Sequence, residues 1–163
     1  MLKLLMYLLM ALVSMLLTIG CTTKGEANVQ GKLLSIEDIQ KLSLDHSQEG
    51  KLVTIEGYAG VCKLLNKITL GGETPFEIYA DQACKGETIG KVMLSILNIN
   101  SKRLIGEEPR NYVKYNSEKE ATNKTLEIVT DDYSEVHNQK LKFSGNIAYD
   151  KKQWYLKNVT IHL

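Results

Sequence analysis

The sequence lacks a surplus of positive charge. It holds 20 Lys and Arg residues against 19 Asp and Glu residues, and removal of the first twenty residues, which include Lys3, leaves 19 of each sign. A protein that binds a nucleic acid draws much of its affinity from neutralised phosphates and is visibly basic. We therefore do not expect nucleic acid to be a partner.

The side-chain patterns of common catalytic and metal sites are also missing. No Cys-x-x-Cys occurs, and His137 and His162 have no second imidazole or thiol at the spacing of a metal site. Asp45, His46 and Ser47 supply the three residue types of a catalytic triad, but triad members converge from separated positions and not from neighbours in one loop. We expect no enzyme activity, no metal and no cofactor.

The most specific local pattern lies at the N-terminus. Met1–Lys3 is a short positive start, Leu4–Ile19 is an uncharged apolar run, and Gly20 and Cys21 follow. This pattern resembles the signal peptide of bacterial lipoproteins, whose cysteine carries fatty acyl chains such as palmitate and becomes the first mature residue. Thr18 departs from the family, which usually has Leu three positions before the cysteine. An uncleaved transmembrane anchor, for which the run is slightly short, and an ordinary secretory signal are the alternatives.

The lipoprotein resemblance implies a lipid anchor on Cys21 and a place in the bacterial cell envelope, at the periplasmic face or the surface of the outer membrane. Residues 1–20 are then a signal peptide, 21–32 a polar flexible tether, and 33–163 the folded part. A chain of 163 residues with 44% hydrophobic residues supports one ordinary core. We predict a single domain.

The folded part is predicted to be mainly β, because its apolar residues alternate with polar ones. Gly57 and Gly145 interrupt the two leading strands, where a glycine lets a short sheet coil into a barrel. In the last strand, Trp154 and Ile161 fall in opposite phases, which predicts a bulge near Asn158. The predicted barrel strands are Lys51–Ala59, Lys67–Leu70, Pro75–Ala80, Lys140–Tyr149 and Gln153–Leu163.

Two further segments complete the predicted architecture. Ser35 and Asp38 form a capping box that starts a short helix reaching about Leu44, and we expect this helix to pack on one barrel end. A long insertion, about 85–137, separates barrel strands 3 and 4. Within it, Lys91–Asn98 is predicted to be a buried strand that pairs with Leu126–Val129.

Cys62 and Cys84 remain once Cys21 is committed to lipid. An even pair of cysteines in an oxidising compartment is expected to be bridged. If three strands run up, down and up, the first and third are parallel, and these two residues lie just past their ends. We predict a Cys62–Cys84 disulfide, with two unpaired thiols as the alternative, or a redox pair, which the lack of a Cys-x-x-Cys disfavours.

The order of elements, with a glycine in each leading strand, resembles the OB-fold, a five-stranded barrel. The segments GKLVTIEGYAGVCKLLNKITLGG and KLKFSGNIAYDKKQWYLKNVTI are similar to small exported OB-fold proteins of Bacteroidetes, the tRNA-anticodon-binding-like group. The resemblance covers roughly residues 33–163 apart from the insertion. It implies a fold and no particular activity, because fold does not carry function across families.

Two functions fit these features. The first is a lipid-anchored, non-catalytic binding module for a small molecule, glycan or peptide, and the second is an envelope assembly or structural protein whose barrel docks another protein. Aromatic and basic side chains on the strands and in the insertion are the candidate ligand-binding residues for the first function: Tyr58, Tyr79, Arg110, Tyr112 and Trp154.

Overall fold

The computed structural model describes residues 30–60, 72–82, 84–98, 110–116, 125–151 and 153–163. These ranges contain one α-helix, one 3-10 turn at His46–Gln48 and nine strands. In chain order the elements are β1 (Lys32–Leu33), α1 (Ile36–Leu42), β2 (Leu52–Gly60), β3 (Glu73–Tyr79), β4 (Thr88–Asn98), β5 (Tyr112–Tyr115), β6 (Glu127–Val129), β7 (Glu135–Val136), β8 (Leu141–Asp150) and β9 (Gln153–His162).

Five of these strands close into a barrel. β2 pairs with β3 and with β8, β3 pairs with β4, and β8 pairs with β9, all antiparallel. The ring closes where β4 and β9 run parallel and Val92 lies opposite Leu156. A five-stranded mixed barrel of this kind is consistent with an OB-like fold, so the predicted fold class is confirmed.

Two strand assignments made from the sequence are wrong. Pro75–Ala80 belongs to β3, the second barrel strand and not the third, and Lys91–Asn98 belongs to β4, the third barrel strand and not the insertion. The predicted strand 67–70 lies outside the described residues. The segment of β4 from Lys91 to Asn98 is apolar on both faces, and for this reason the sequence alone suggested a buried strand inside the insertion. Its barrel-facing residues are fully buried and its outward residues half-buried: Val92, Leu94 and Ile96 against Met93, Ser95 and Leu97.

The insertion between barrel strands 3 and 4 extends the sheet beyond the ring. β5 runs parallel to the end of β4, and β6 pairs with β5 and β7, not with β4 as predicted. The backbone N–H of Ile161 donates to Asn111 Oδ1 at 2.7 Å, and the N–H of Asp131 donates to the Ile161 carbonyl at 2.9 Å. Asn111 and Asp131 of the insertion thus satisfy backbone groups of β9 beyond Leu156, the residue of β9 that pairs with β4.

The short helix forms as predicted. The side chain of Ser35 accepts a hydrogen bond from the N–H of Asp38 at 3.1 Å, which is the expected N-cap geometry. Ile39 and Leu42, one turn apart, are buried in the barrel core. α1 is therefore fixed to one end of the barrel by its apolar side.

The bulge predicted near Asn158 is also confirmed. The pairing of β8 with β9 shifts between Ser144 and Asn146, and Asn158 has a positive φ of 52°. A Cβ at Gly145 would lie 2.9 Å from the Lys157 carbonyl oxygen, so the residue opposite the bulge must be small. The extra residue brings Ile161 into the core together with the first half of β9.

Candidate functional site

The residues predicted to bind a ligand are divided between separate parts of the molecule. Tyr58 and Tyr79 lie opposite each other on β2 and β3. Trp154 is buried in the core cluster on β9. Tyr112 is buried at the start of β5, and Arg110 is exposed just before that strand. The structure brings Tyr58 and Tyr79 together and leaves the other three elsewhere.

Tyr79 is committed to a neighbour on its own strand. Its hydroxyl donates to the carboxylate of Glu77, two residues away on the same face of β3. Burial, together with this hydrogen bond, raises the pKa of Tyr79 to about 12. Of the cross-strand pair, Tyr58 is the more accessible ring and the better candidate for a contact with a ligand.

A groove with an apolar floor lies between α1 and the barrel. We call it the helix–barrel groove, and it has a volume of about 360 Å³. Its floor is apolar and includes Trp154, while polar side chains form its rim. The lining residues are Ile36, Ile39, Gln40, Ser43, Glu87, Thr88, Ile89, Gly90, Lys91, Gln153 and Trp154.

Tyr149 holds the helix in the position that forms one wall of the groove. Its hydroxyl lies 3.0 Å from the carbonyl oxygens of both Leu42 and Asp45, at the C-terminal end of α1. The His46 ring stacks on the Tyr149 ring at 4.2 Å between centroids. Because helix ends leave carbonyls without partners, this contact both caps α1 and attaches it to β8.

The floor of the groove depends on a glycine. A Cβ at Gly90 would lie 2.6 Å from Cη2 of Trp154, closer than carbon atoms approach without displacement. The absence of a side chain on β4 therefore lets the indole lie across the strand. Trp154 is 7% exposed, so only a small part of the indole is accessible from the groove.

The rim carries balanced charge. Lys91 Nζ donates to Gln153 Oε1 at 2.7 Å, which ties the start of β4 to the start of β9. Among the described lining residues, Lys91 is the one base and Glu87 the one acid. An apolar floor with a few polar groups at its border is the usual anatomy of a small-molecule site, and 360 Å³ falls at the small end of such sites.

A second, more open groove lies beside the turn that joins β3 to β4. It has a volume of about 550 Å³ and is lined by Tyr58, Ala80, Asp81, Gln82, Lys85 and Lys140. Lys140 Nζ bonds to Glu56 Oε2 at 2.7 Å, and this hydrogen bond raises the pKa of Lys140. The groove is polar, and the ammonium of Lys140, one of its lining residues, is already paired with the Glu56 carboxylate.

Sequence reasoning missed a buried polar cluster that joins four separate segments. Ser144 Oγ lies 2.7 Å from Thr54 Oγ1 and 3.1 Å from His162 Nε2, and His162 Nδ1 lies 3.7 Å from Asp131 Oδ2. All four side chains are at most 8% exposed. No sequence spacing connects these residues, and His162 was predicted to be isolated.

The serine, histidine and aspartate of this cluster resemble a catalytic triad, but the hydrogen bonds run the wrong way. Thr54 uses its one hydroxyl proton on the Gly31 carbonyl at 3.0 Å, so Ser144 must donate to Thr54. The Ser144 oxygen then accepts from the protonated Nε2 of His162. A general base must instead accept the serine proton, so the cluster serves as a cross-link between strands.

The short loop Asp45–Ser47 has a local structural role. Asp45 Oδ1 accepts from the N–H of Ser47 at 2.9 Å, and Oδ2 accepts from Nε2 of Gln48 at 3.1 Å, which caps the 3-10 turn. In the described ranges, no three His, Cys, Asp or Glu side chains are placed to share a metal ion. Nor does any helix in those ranges have the length and apolarity needed to cross a bilayer.

Of the three cysteines, Cys21 and Cys62 lie outside the described residues, and Cys84 lies in the turn after β3. β3 runs antiparallel to β2, so the parallel-strand argument for a Cys62–Cys84 bridge does not apply. The last residues of the two strands nevertheless lie side by side, because Tyr58 pairs with Tyr79 and Gly60 pairs with Glu77. The bridge stays a prediction that rests on the cysteine count and the compartment.

No protein-family model, no curated protein and no solved structure matches the chain.

Proposed function

We propose that this protein is a lipid-anchored, non-catalytic binding module of the bacterial cell envelope, and that it binds its ligand in the helix–barrel groove. The observation that carries the proposal is the groove itself, with an apolar floor at Trp154 and Ile89 and a polar rim at Lys91 and Gln153. Its volume of about 360 Å³ suits a compact molecule or one apolar side chain of a peptide. We also propose that the chain is related to the exported OB-fold proteins of Bacteroidetes that its sequence resembles.

The single tryptophan of the chain makes the groove directly testable. Trp154 lines the groove, so a bound molecule changes its fluorescence. The probe is anilinonaphthalene sulfonate, which combines apolar rings with one anionic group and accepts energy from excited tryptophan. We expect saturable energy transfer from Trp154 to the bound probe.

Two matched substitutions locate the binding. Ile36 is 54% exposed and lines the groove, so Ile36→Asp places a negative charge against the anionic, largely apolar probe without disturbing the core. We expect it to weaken probe binding by about tenfold or more, because the carboxylate repels the sulfonate and is desolvated by the apolar rings. Leu163→Asp, at a similarly exposed leucine outside the groove, is the control. Equal binding by both variants would contradict the proposal.

The anchor is tested by the lipidation of Cys21. Cells grown with labelled palmitate should label the wild-type protein and leave the Cys21→Ala variant unlabelled. The variant should also leave the detergent phase on phase separation. If Cys21→Ala remains in the detergent phase, the N-terminal run acts as a transmembrane anchor instead.

Nucleic acid is not part of the proposal, and the pairing of basic side chains supports leaving it out. Lys140 bonds to Glu56, and Lys114 lies 3.3 Å from Glu127 and 2.7 Å from Glu135. A groove that tracks a phosphate backbone needs basic side chains available for phosphates. Titration of the mature domain with labelled oligonucleotides at low and physiological salt should give no saturable binding, and micromolar, salt-sensitive binding would overturn this view.

The alternative function, docking of another envelope protein through the barrel, has one observation in its favour. Leu33, Leu44 and Leu52 are exposed on the N-terminal part of the domain. Exposed apolar side chains in one region mark contact surfaces.

A further inference from the structure

Exposed large apolar side chains are concentrated at the start of the domain. In the part of the chain that the structure describes, six such residues are exposed, and four of them fall between residues 33 and 52. Ile36 belongs to the helix–barrel groove. The other three are Leu33, 53% exposed, Leu44, 87% exposed, and Leu52, 36% exposed.

These three leucines lie on the segments that form a shallow groove between α1 and the pair β1 and β2. The groove has a volume of about 440 Å³. Leu52 lines it directly, Leu33 lies between the lining residues Lys32 and Leu34, and Leu44 precedes the lining residue Asp45. We call the three leucines and this groove the leucine face.

The length of chain before the domain decides what can cover this face. If Cys21 carries the lipid, nine residue steps separate it from Gln30, the first described residue. An extended chain of that length spans at most about 30 Å, and a flexible one averages about 17 Å. β1 starts two residues later, at Lys32. β1 and α1, which contribute to the leucine face, are therefore the elements of the domain that are closest in sequence to the lipid anchor.

Charge contributes little to this surface. Lys32, Lys41 and Lys51 line the groove, but Asp38 and Asp45 line it as well. Lysines beside an apolar patch can extend their ammonium groups toward lipid headgroups while their stems stay on apolar surface. Because the charges nearly cancel, the leucines and not the net charge have to supply the contact with the membrane.

A tether makes a weak contact effective. A short flexible linker holds its domain at an effective concentration on the order of millimolar near its attachment point. Three exposed leucines would not hold a free protein on a membrane for long, but they can orient one that is already anchored. The inference rests on the lipid anchor of the proposed function.

We propose that the leucine face lies against the headgroup region of the leaflet that carries the Cys21 lipid. This contact fixes the orientation of the domain. α1 separates this face from the ligand site, since Asp38 and Lys41 line the leucine-face groove while Ile36, Gln40 and Ser43 line the helix–barrel groove. With the leucine face on lipid, the helix–barrel groove stays open to solvent on the other side of the helix.

The test uses the full-length lipidated protein in phosphatidylcholine vesicles, half of them made with brominated acyl chains that quench nearby tryptophan. Leu44→Trp places a reporter at the most exposed leucine, and Leu163→Trp is the control at the far end of the chain. Each is compared with the wild type, whose one tryptophan is Trp154. We expect brominated lipid to reduce the Leu44→Trp signal by about twofold and to leave the Leu163→Trp signal at the wild-type level.

The outcomes separate the two proposals. A protein that does not float with the vesicles contradicts the lipid anchor, and the inference falls with it. A protein that floats but shows equal quenching at both positions overturns the membrane contact alone. Self-association of the anchored protein that is lost in a Leu33→Ser, Leu44→Ser, Leu52→Ser variant, without quenching, assigns the face to a second copy and also overturns the inference. Replacing a third of the lipid with an anionic lipid should leave the quenching unchanged, and a dependence on that lipid would contradict the balanced-charge argument.

Discussion

Nε2 of His162 lies 3.1 Å from the hydroxyl of Ser144, on the outward faces of two neighbouring barrel strands. His162 also faces Asp131 of the insertion at 3.7 Å, and Ser144 contacts Thr54 on β2 at 2.7 Å. Through this pair the last strand and the first barrel strand are joined by hydrogen bonds, and His162 also faces the Asp131 carboxylate of the insertion. The cluster therefore lies where the insertion packs against the barrel.

The first prediction is that Ser144→Ala destabilises the fold. The substitution removes the partner of His162 Nε2 and of Thr54 together, and leaves buried polar groups unsatisfied. We expect a loss of about 1–3 kcal/mol in the free energy of unfolding, measured by chemical denaturation. Thr160→Ala, at the half-buried residue opposite Ser144 on β9, is the control and should cost less. Equal losses would show that the cluster contributes nothing beyond an ordinary side-chain contact.

The second prediction concerns the attachment of the helix. Tyr149→Phe keeps the ring that stacks on His46 but removes the hydroxyl that reaches the Leu42 and Asp45 carbonyls. We expect a loss of about 1 kcal/mol in overall stability, typical of one net hydrogen bond. Amide hydrogens of α1 should exchange faster, since the helix is held to the barrel by fewer contacts. Tyr155→Phe on β9 is the control, and an unchanged α1 exchange rate in Tyr149→Phe would contradict the role of the hydroxyl.

A structural feature could be predicted from the sequence when the residues that determine it lie close together in the chain. The Ser35 cap and the bulge at Asn158 follow from patterns within a few residues, and both could be predicted. The order of the barrel strands could not, because an apolar run such as Lys91–Asn98 has the same composition in a ring strand as in an insertion. The Ser144 cluster could not either, because its burial arises from segments far apart in the chain.

The same limit applies to the candidate site. An aromatic such as Trp154 could be selected from composition, but the groove that it lines exists because Gly90 faces it from another strand. Tyr79 was selected on the same grounds, and its hydroxyl is bound to Glu77. The pairing register decides which aromatic ring is available, and the sequence does not contain that register in any local form.

The third prediction tests this dependence on Gly90. Gly90→Ala places a methyl group 2.6 Å from Cη2 and 3.2 Å from Cζ2 of Trp154, so the indole must move. Forced repacking of this kind costs about 1–3 kcal/mol. We expect a lower denaturation midpoint and a shifted Trp154 emission maximum, together with weaker binding of anilinonaphthalene sulfonate. Ser95→Ala, at an outward position on the same strand, should change none of the three, and a silent Gly90→Ala would contradict the packing described for the groove floor.

The fourth prediction concerns acid. Hydrogen bonds from Ser47 and Gln48 lower the pKa of Asp45 from 3.8 to about 2. Because the folded state holds the ionised form more tightly, Asp45 contributes stability at pH values above its unfolded pKa, and this contribution is lost as the pH falls from about 4 to about 2. Asp45→Asn should therefore lower stability at neutral pH and converge with the wild type near pH 2.

Gln48→Ala gives an intermediate test of the same carboxylate. It removes the side-chain donor to Oδ2 and leaves the Ser47 N–H in place, so the pKa of Asp45 should be lowered less, and the stability that Asp45 contributes should be smaller and fully lost at a higher pH than in the wild type. Denaturant unfolding measured at intervals between pH 2 and pH 5 follows all three proteins. A constant gap between Asp45→Asn and wild type over that window would contradict the assignment.

The fifth prediction is the disulfide between Cys62 and Cys84. With Cys21 blocked by lipid, the two remaining thiols of an exported protein should be oxidised, and the non-reduced protein should take up no alkylating reagent. Closure of a loop of about 23 residues restricts the unfolded chain, so reduction should lower the free energy of unfolding by about 3 kcal/mol if the bridge is unstrained. The Cys62→Ser, Cys84→Ser double variant should match the reduced wild type and show no further response to reductant. Two alkylated cysteines in protein purified without reductant would mean that the thiols are unpaired and would contradict the prediction.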